Sequence, residues 1–256
     1  MGILNLTTDS FYDGGKYNSL DKALYHTESM LKEGAFFIDI GAASSKPGSE
    51  LITPANEKKK LLVVLEALLD RFPEAYFSID TYNHEVAQTC IEMGASMIND
   101  ISGGNLDAKM HETVAKYKIP YVMMHMRGTP ETMQKNSHYK NIVTEVLSFF
   151  SQQTKAATNA GIQDILIDPG FGFGKTLEQN YTLFNNLNQF ETLGCPLLIG
   201  VSRKSMIYKL LDTTPQEALN GTTALNALAL DRGAQILRVH DVKEAKECVD
   251  LWLALQ

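Results

Sequence analysis

Short runs rich in Ile, Val, Leu and Phe alternate along the chain with longer amphipathic stretches, the pattern of parallel strands covered by helices. The apolar runs occupy residues 3–6, 36–40, 76–79, 96–98, 121–124, 165–167, 197–201 and 236–239. Between them, helical spacing predicts helices over 20–33, 85–93, 142–160 and 222–232, with Gly34, Gly94, Gly161 and Gly233 standing where each must stop. Eight strands alternating with helices in a chain of 256 residues predict an α/β protein, a single-domain (β/α)8 TIM barrel spanning 1–256. An open doubly wound sheet would place GxGxxG directly after its first strand, and the stretch from Asn5 to Gly15 lacks it. The longest irregular stretches, 41–54 and 127–139, both follow strands, which in a barrel puts them at the catalytic mouth.

Nearly every run ends on a chemically capable residue: Asn5, Asp39, Asp80, Asn99 with Asp100, His125, Asp168, Ser202-Arg203-Lys204, and Arg238 with His240. One strand-end Asp or Asn is ordinarily a loop cap bonding local backbone. Its recurrence on strand after strand is the signal. Carboxylates and amides directed into one pocket suit a ligand with an array of N–H donors, as on the edge of a heteroaromatic base. The cations Arg203, Lys204 and Arg238, with His240, gather on the last two strands, where barrels hold phosphate groups. The ligand is therefore expected to carry phosphate.

Two further features read more plainly. The run from Asp168 to Lys175, Asp-Pro-Gly-Phe-Gly-Phe-Gly-Lys, lacks the Lys-Ser/Thr pair of a P-loop at the required spacing, so it reads as a tight loop bringing backbone near a flat ligand. His125 has no HxH or HxxxH partner and reads as a core histidine rather than a metal ligand.

Composition narrows the class. Hydrophobic residues make up 44% and charged residues 21%, ordinary globular usage, while the formal charge of -7 disfavours nucleic acid or an anionic membrane as partner. Small molecules are the expected partners. Cys90, Cys195 and Cys248 are odd in number and without CxxC spacing, which predicts reduced thiols. With no signal-like opening and no apolar run near the ~20 residues that span a bilayer, a cytoplasmic location is expected.

The chain also resembles dihydropteroate synthase along nearly its whole length. The motifs that carry the resemblance are Gly2-Ile-Leu-Asn-Leu-Thr-Thr-Asp-Ser-Phe11 with Asp13-Gly-Gly15, Ile38-Asp-Ile-Gly41 with Ser44-Ser-Lys-Pro-Gly48, Ser78-Ile-Asp-Thr81 and Ile98-Asn-Asp100. They continue with Met124-His-Met126, Asp168 to Lys175, Ser202-Arg-Lys-Ser205 and Arg238-Val-His-Asp-Val242. Each is weak alone; eight in order are specific.

The resemblance implies condensation of 6-hydroxymethyl-7,8-dihydropterin pyrophosphate with para-aminobenzoate in folate synthesis, assisted by magnesium, in a homodimer inhibited by sulfonamides. It implies Asp80, Asn99, Asp168, Phe173 and Lys204 at the pterin, and Phe11, Ser45, Lys46, Pro47 and Arg203 at the aminobenzoate and its loops. Asn5 would contact the magnesium and, with Arg238 and His240, the pyrophosphate. Asp39, Lys204, Arg238 and His240 would serve catalysis.

A pterin-binding methyltransferase barrel would keep the carboxylates but has no use for the Ser44–Gly48 loop or the Arg238/His240 anion site. A non-catalytic homologue would bind pterin without pyrophosphate-dependent binding of aminobenzoate. The chain departs from the family at Lys46, where arginine is usual and whose replacement loses the bidentate fork, at Ser45, where threonine is usual, and at Thr8, where proline is common. Relatives also carry a short segment before the first strand that covers the barrel floor, and Met1 stands almost at that strand. This difference is expected to touch stability more than chemistry.

Overall fold

The computed structural model describes residues 1–6, 16–42, 52–133 and 137–255, with only the backbone for 16–19. Among these residues the elements run β1 (Gly2–Asn5), α1 (Lys16–Lys32), β2 (Phe37–Gly41), α2 (Pro54–Arg71), β3 (Tyr76–Asp80), α3 (His84–Met93), β4 (Met97–Asp100), α4 (Met110–Tyr117) and β5 (Tyr121–Met124). They continue with α5 (Ile142–Ala160), β6 (Ile165–Asp168), α6 (Leu177–Asn185), a 3-10 segment (Leu187–Leu193), β7 (Leu198–Ile199), α7 (Ser205–Tyr208), α8 (Leu219–Asp231), β8 (Ile236–Leu237) and α9 (Val242–Leu253).

Strands β1 to β6 pair in chain order, all parallel, and β7 pairs with β8. Bridges Ile167↔Leu197 and Gly2↔Val239 join the two groups at both seams and close the barrel. That closure decides against the open sheet. The last two strands are shorter than the apolar runs that announce them. β8 bonds to β7 through Ile236 and Leu237, then hands its bonding to the first strand, where Ile3 N–H donates to Val239 O and Val239 N–H to Met1 O, both at 3.0 Å. The stagger of a closed barrel divides one apolar run between two neighbours.

Because successive side chains alternate faces, each strand carries two readings. Ile38, Ile40, Phe77, Ile79, Ile98, Tyr121, Met123 and Ile167 are fully buried in the main apolar cluster, beneath the helices. The opposite parity fills the barrel: Met97, Val122, Leu166 and Leu198, with Met1, Phe37 and Ile236 packed against them, form an apolar plug at its floor. Two residues further along the strands, the same face presents Asp39, Asn99, Asp168 and Arg238. A polar mouth above an apolar floor thus follows from a step of two.

Helix ends confirm the glycine signals. Gly161 ends α5 in the left-handed region at φ 105°, its N–H returning to Ala157 O and Thr158 O. The first helix starts at Lys16, earlier than periodicity shows, because Lys16, Asn18 and Ser19 offer that turn almost no apolar position. The eighth starts at Leu219 for a similar reason: Asn220 and Gly221 interrupt the apolar pattern while the backbone stays helical. No helix among the described residues is long and apolar enough to cross a membrane.

Candidate active site

Asp39, halfway along β2, is completely buried and binds three other strands. Its Oδ1 accepts from the Ser78 hydroxyl at 2.6 Å; its Oδ2 accepts from Asn99 Nδ2 at 3.0 Å and Arg238 Nε at 2.7 Å. Arg238 Nη2 also donates to Asp80 Oδ2 at 2.9 Å. The register makes these contacts possible: Asp39 lies opposite Ser78, and Asp80 opposite Asn99. Burial works against the Arg238 charge, but Asp39 and Asp80 more than offset it and raise its pKa. For Asp80 burial raises the pKa, Arg238 opposes, and Asp39 and Glu57 add to the rise.

Across the barrel, Asp168 at the end of β6 accepts from Gly170 N–H at 2.8 Å. Gly170 sits at φ 69°, and a Cβ there would lie 2.1 Å from His125 O, so only glycine permits this turn. Beyond it, Phe171 O accepts from Lys204 Nζ at 2.6 Å, and Lys204 Nζ stands 4.8 Å from the Phe173 ring centroid. The carbonyls of this loop face lysines, whereas a phosphate cradle presents N–H groups, and the chain's lack of the P-loop pattern agrees with that polarity. Burial pushes the Asp168 carboxyl up, opposed first by Lys204. Burial brings Lys204 down to about 8, with Asp168 opposing.

An apolar wall flanks these groups. Ile101, Met124, Met126 and Met133 cluster with Tyr82, Leu106 and Phe173. Met124 lies opposite Asp168 in the register and so faces the same interior. A cavity of about 740 Å³ lies at the other end of the barrel, and its walls, formed by residues such as Phe37, Met97 and Leu166, hold none of the strand-end polar groups. The chemistry therefore sits at the mouth.

The pterin-binding enzyme family model matches residues 1–240. The dihydropteroate synthase of Haemophilus influenzae is 41% identical over 256 residues, 99% of this chain and 92% of that one. A solved dihydropteroate synthase of Yersinia pestis in complex with a sulfonamide drug superposes with TM-score 0.93 at 42% identity, covering 100% of this chain and 93% of the other. That of Clostridium difficile, solved in the presence of pteroic acid, does so with TM-score 0.94 at 36% identity, covering 100% and 95%. The chain belongs to the dihydropteroate synthases of the pterin-binding enzyme family. It is accordingly a transferase of folate synthesis.

Within that membership the structure shows how three of the expected site residues are held. Asp39, expected in catalysis, has both oxygens engaged and no exposure, so it acts through Asn99 and Arg238, as a positioning residue. Arg238, expected at the pyrophosphate, has Nε and Nη2 held by carboxylates; Nη1 alone has no protein partner among the described residues. Arg203, expected near the aminobenzoate, has all three guanidinium nitrogens engaged by protein. Its Nε and Nη2 bind Asp241 at 2.9 and 2.8 Å, and its Nη1 binds Pro215 O and Gln216 O at 2.9 and 2.6 Å.

Arg203 is a strut between the loops after β7 and β8, held at φ 53°. Arg203→Ala is expected to lower stability by about 1–3 kcal/mol, the range for charged hydrogen bonds, and to leave the KM for aminobenzoate unchanged. Urea melts beside initial rates check this; unchanged stability with a raised KM returns Arg203 to the substrate.

Ser202 laces the same two strand ends. Its Oγ accepts from the His240 backbone N–H at 3.1 Å and lies 2.9 Å from His240 Nδ1. A hydroxyl that accepts from the backbone N–H has both a proton and a second lone pair left for Nδ1, so this contact fixes the orientation of the ring and serves either tautomer. Desolvation at the mouth, and then the Arg238 charge, hold the imidazole below its usual range although the residue is exposed.

Asp100, grouped with Asn99 by adjacency, faces outward: it accepts from Tyr121 OH at 2.7 Å, from Ser102 N–H and Oγ at 2.7 Å each, and from Gly104 N–H at 2.9 Å. His125 is buried beside Phe149, its ring centroid 4.9 Å away, and burial keeps it neutral, in line with a core role. Phe11, Ser45, Lys46, Pro47 and Thr8 lie outside the described residues. Neither the methionine wall nor Lys175, described below, was picked out from sequence as part of the site. The parity linking Val122 to Met124 was the available signal for the wall.

Asn5 ends β1 opposite Gly41 and is exposed. Among the described residues no group of three or more His, Cys, Asp or Glu could hold a metal ion. Magnesium needs few protein ligands when phosphate oxygens and water complete its octahedron, so a single amide oxygen at the mouth fits a cation that arrives with pyrophosphate.

Proposed function

We propose that the chain joins 6-hydroxymethyl-7,8-dihydropterin pyrophosphate to para-aminobenzoate, releasing pyrophosphate and 7,8-dihydropteroate, with the pterin held between Asn99, Asp168, Lys204 and Asp80. The observation that carries this reading is the polarity of the atoms left without a partner among the described residues. Asn99 gives its amide N–H to Asp39 and so keeps Oδ1, an acceptor, for a ligand donor. Asp168 and Asp80 each keep a carboxylate oxygen, and the Lys204 ammonium keeps two hydrogens after Phe171 O takes one. Three acceptors and one donor match a pyrimidine edge rich in N–H with one ring carbonyl, and Phe173 with the methionines supplies a flat apolar face.

Catalysis then rests on positioning and electrostatics. Arg238 Nη1 and the His240 ring would receive the departing pyrophosphate. Magnesium, held by Asn5 and the phosphates, would supply positive charge to the leaving oxygens. The cation left at the pterin methylene carbon is stabilised by the ring itself and captured by the amine of aminobenzoate, so no side-chain nucleophile is required. The methionine wall keeps water from competing for it. Sulfonamides would compete for the aminobenzoate position.

Purified protein given magnesium, the pterin pyrophosphate and para-aminobenzoate is expected to release pyrophosphate in step with dihydropteroate. No release sinks the reading; calorimetric binding of pterin without any pyrophosphate-dependent binding of aminobenzoate would indicate a non-catalytic homologue.

A further inference from the structure

Lys175 closes the glycine loop just before the α6 N-cap Thr176, and it is 5% exposed. Its ammonium donates to Gly170 O at 2.8 Å, Phe173 O at 3.1 Å and His125 O at 3.3 Å. Three hydrogens meet three carbonyls, and among the described residues no carboxylate comes within ion-pair distance of it. A cation buried against carbonyls alone is costly, so the arrangement needs a reason beyond filling space.

That reason lies on the other side of the same loop. With the carbonyls of Gly170 and Phe173 turned inward to Lys175, the intervening Phe171 carbonyl faces Lys204. The Phe173 ring beside Lys204 belongs to the residue whose carbonyl Lys175 holds. His125 O comes from the end of β5, where His125 N–H donates to Asp168 O at 2.9 Å, so one ammonium ties this strand end to the loop and to the start of α6.

We propose that Lys175 is a positioning residue for the pterin: by gathering these three carbonyls it seats Lys204 and presents Asp168 to the ligand. This rests on the assignment as a dihydropteroate synthase. The charge acts as well as the geometry. Lys175 is among the groups that oppose the burial-driven rise of the Asp168 pKa, after Lys204, the Gly170 N–H and Arg238. The ionisable groups acting on Lys175 are Asp168, which favours its charge, and Lys204 and Arg127, which disfavour it; burial, the largest influence, brings it down to about 7. His125, whose carbonyl it holds, stays neutral. Burial thus makes the charge of Lys175 sensitive to what is bound beside it.

The test compares Lys175→Met, which removes charge and donors, with Lys175→Gln, which keeps two N–H donors. In both, the pterin Kd is expected to rise, by about tenfold or more for methionine and less for glutamine, while the KM for aminobenzoate at saturating pterin pyrophosphate stays near wild type. The Lys175→Met/Lys204→Ala double variant is expected to bind no worse than the weaker single one, because both lesions act on one arrangement. Folded Lys175→Met with wild-type pterin affinity, or penalties that multiply, overturns the role.

If Lys175→Met does not fold, the wild type still decides. When a charged Lys175 favours pterin, pterin must raise the Lys175 pKa by the same free energy. NMR titration of the lysine side chains, with Lys204→Ala separating the two buried signals, is expected to show its midpoint moving up by about half a unit or more with pterin bound. A purely structural lysine would show no change, or a fall as the filled mouth buries it further, and either overturns the proposal. Wild-type protein that neither binds pterin nor releases pyrophosphate overturns the assigned function instead.

Discussion

Asp39→Ala is expected to destabilise the barrel by about 3–5 kcal/mol, the cost of removing one partner from a buried ion pair. At this chain length that corresponds to a fall in melting temperature of roughly 10 °C. The loss comes from what remains: Arg238 Nε, Asn99 Nδ2 and the Ser78 hydroxyl all lose the acceptor that the fully buried Asp39 supplied. Asp39→Asn fares little better, since its amide turns N–H groups toward other donors. The paired replacement Asp39→Leu/Arg238→Met is expected to recover much of the stability while remaining inactive, because apolar residues fill the space of a buried pair without leaving a lone charge. Asp80, already inclined to hold its proton, then takes one up. Denaturant melts of the three variants check this, and Asp39→Ala within about 1 kcal/mol of wild type would show that the pair does not bind the strands together.

Lys204→Ala is expected to weaken pterin binding by about 1–3 kcal/mol, roughly 5- to 150-fold, through loss of a charged hydrogen bond in the site. Its pH dependence has a definite sign. Burial lowers the Lys204 pKa from 10.5 to about 8, so the ammonium predominates below pH 8 and is lost above it. Wild-type pterin affinity should fall as pH rises through about 8, and Lys204→Ala should lose that limb. Calorimetry across this range gives both results, and unchanged affinity in the variant would remove Lys204 from the site.

Much of the fold and part of this site were legible in sequence because they depend on local pattern. The runs ending at Asp80 and Asp168 have strand length and end polar, and Gly161 could stop its helix because backbone conformation there is a property of the residue itself. Polar strand ends by themselves indicated a barrel mouth facing a ligand. The motif order around them indicated which ligand.

What the sequence determined, then, is the order of strands and helices and the inventory of charges at one end of the barrel, since both follow from periodicity and residue type. Only the tertiary structure decided how those charges are used. Adjacency made Asn99 and Asp100 look alike, but the pleat sends one into the barrel and the other beneath the helices. Arg203 and Arg238 looked like two anion ligands, yet one braces Asp241 and the other joins Asp39, 199 positions away, because barrel closure sets β8 against β1, one strand from β2. Lys175 read as the end of a tight loop near a flat ligand, and its role emerged from three carbonyls turned toward it. A side chain's partner depends on which atoms reach it through the closed fold, and that is a property of the whole barrel.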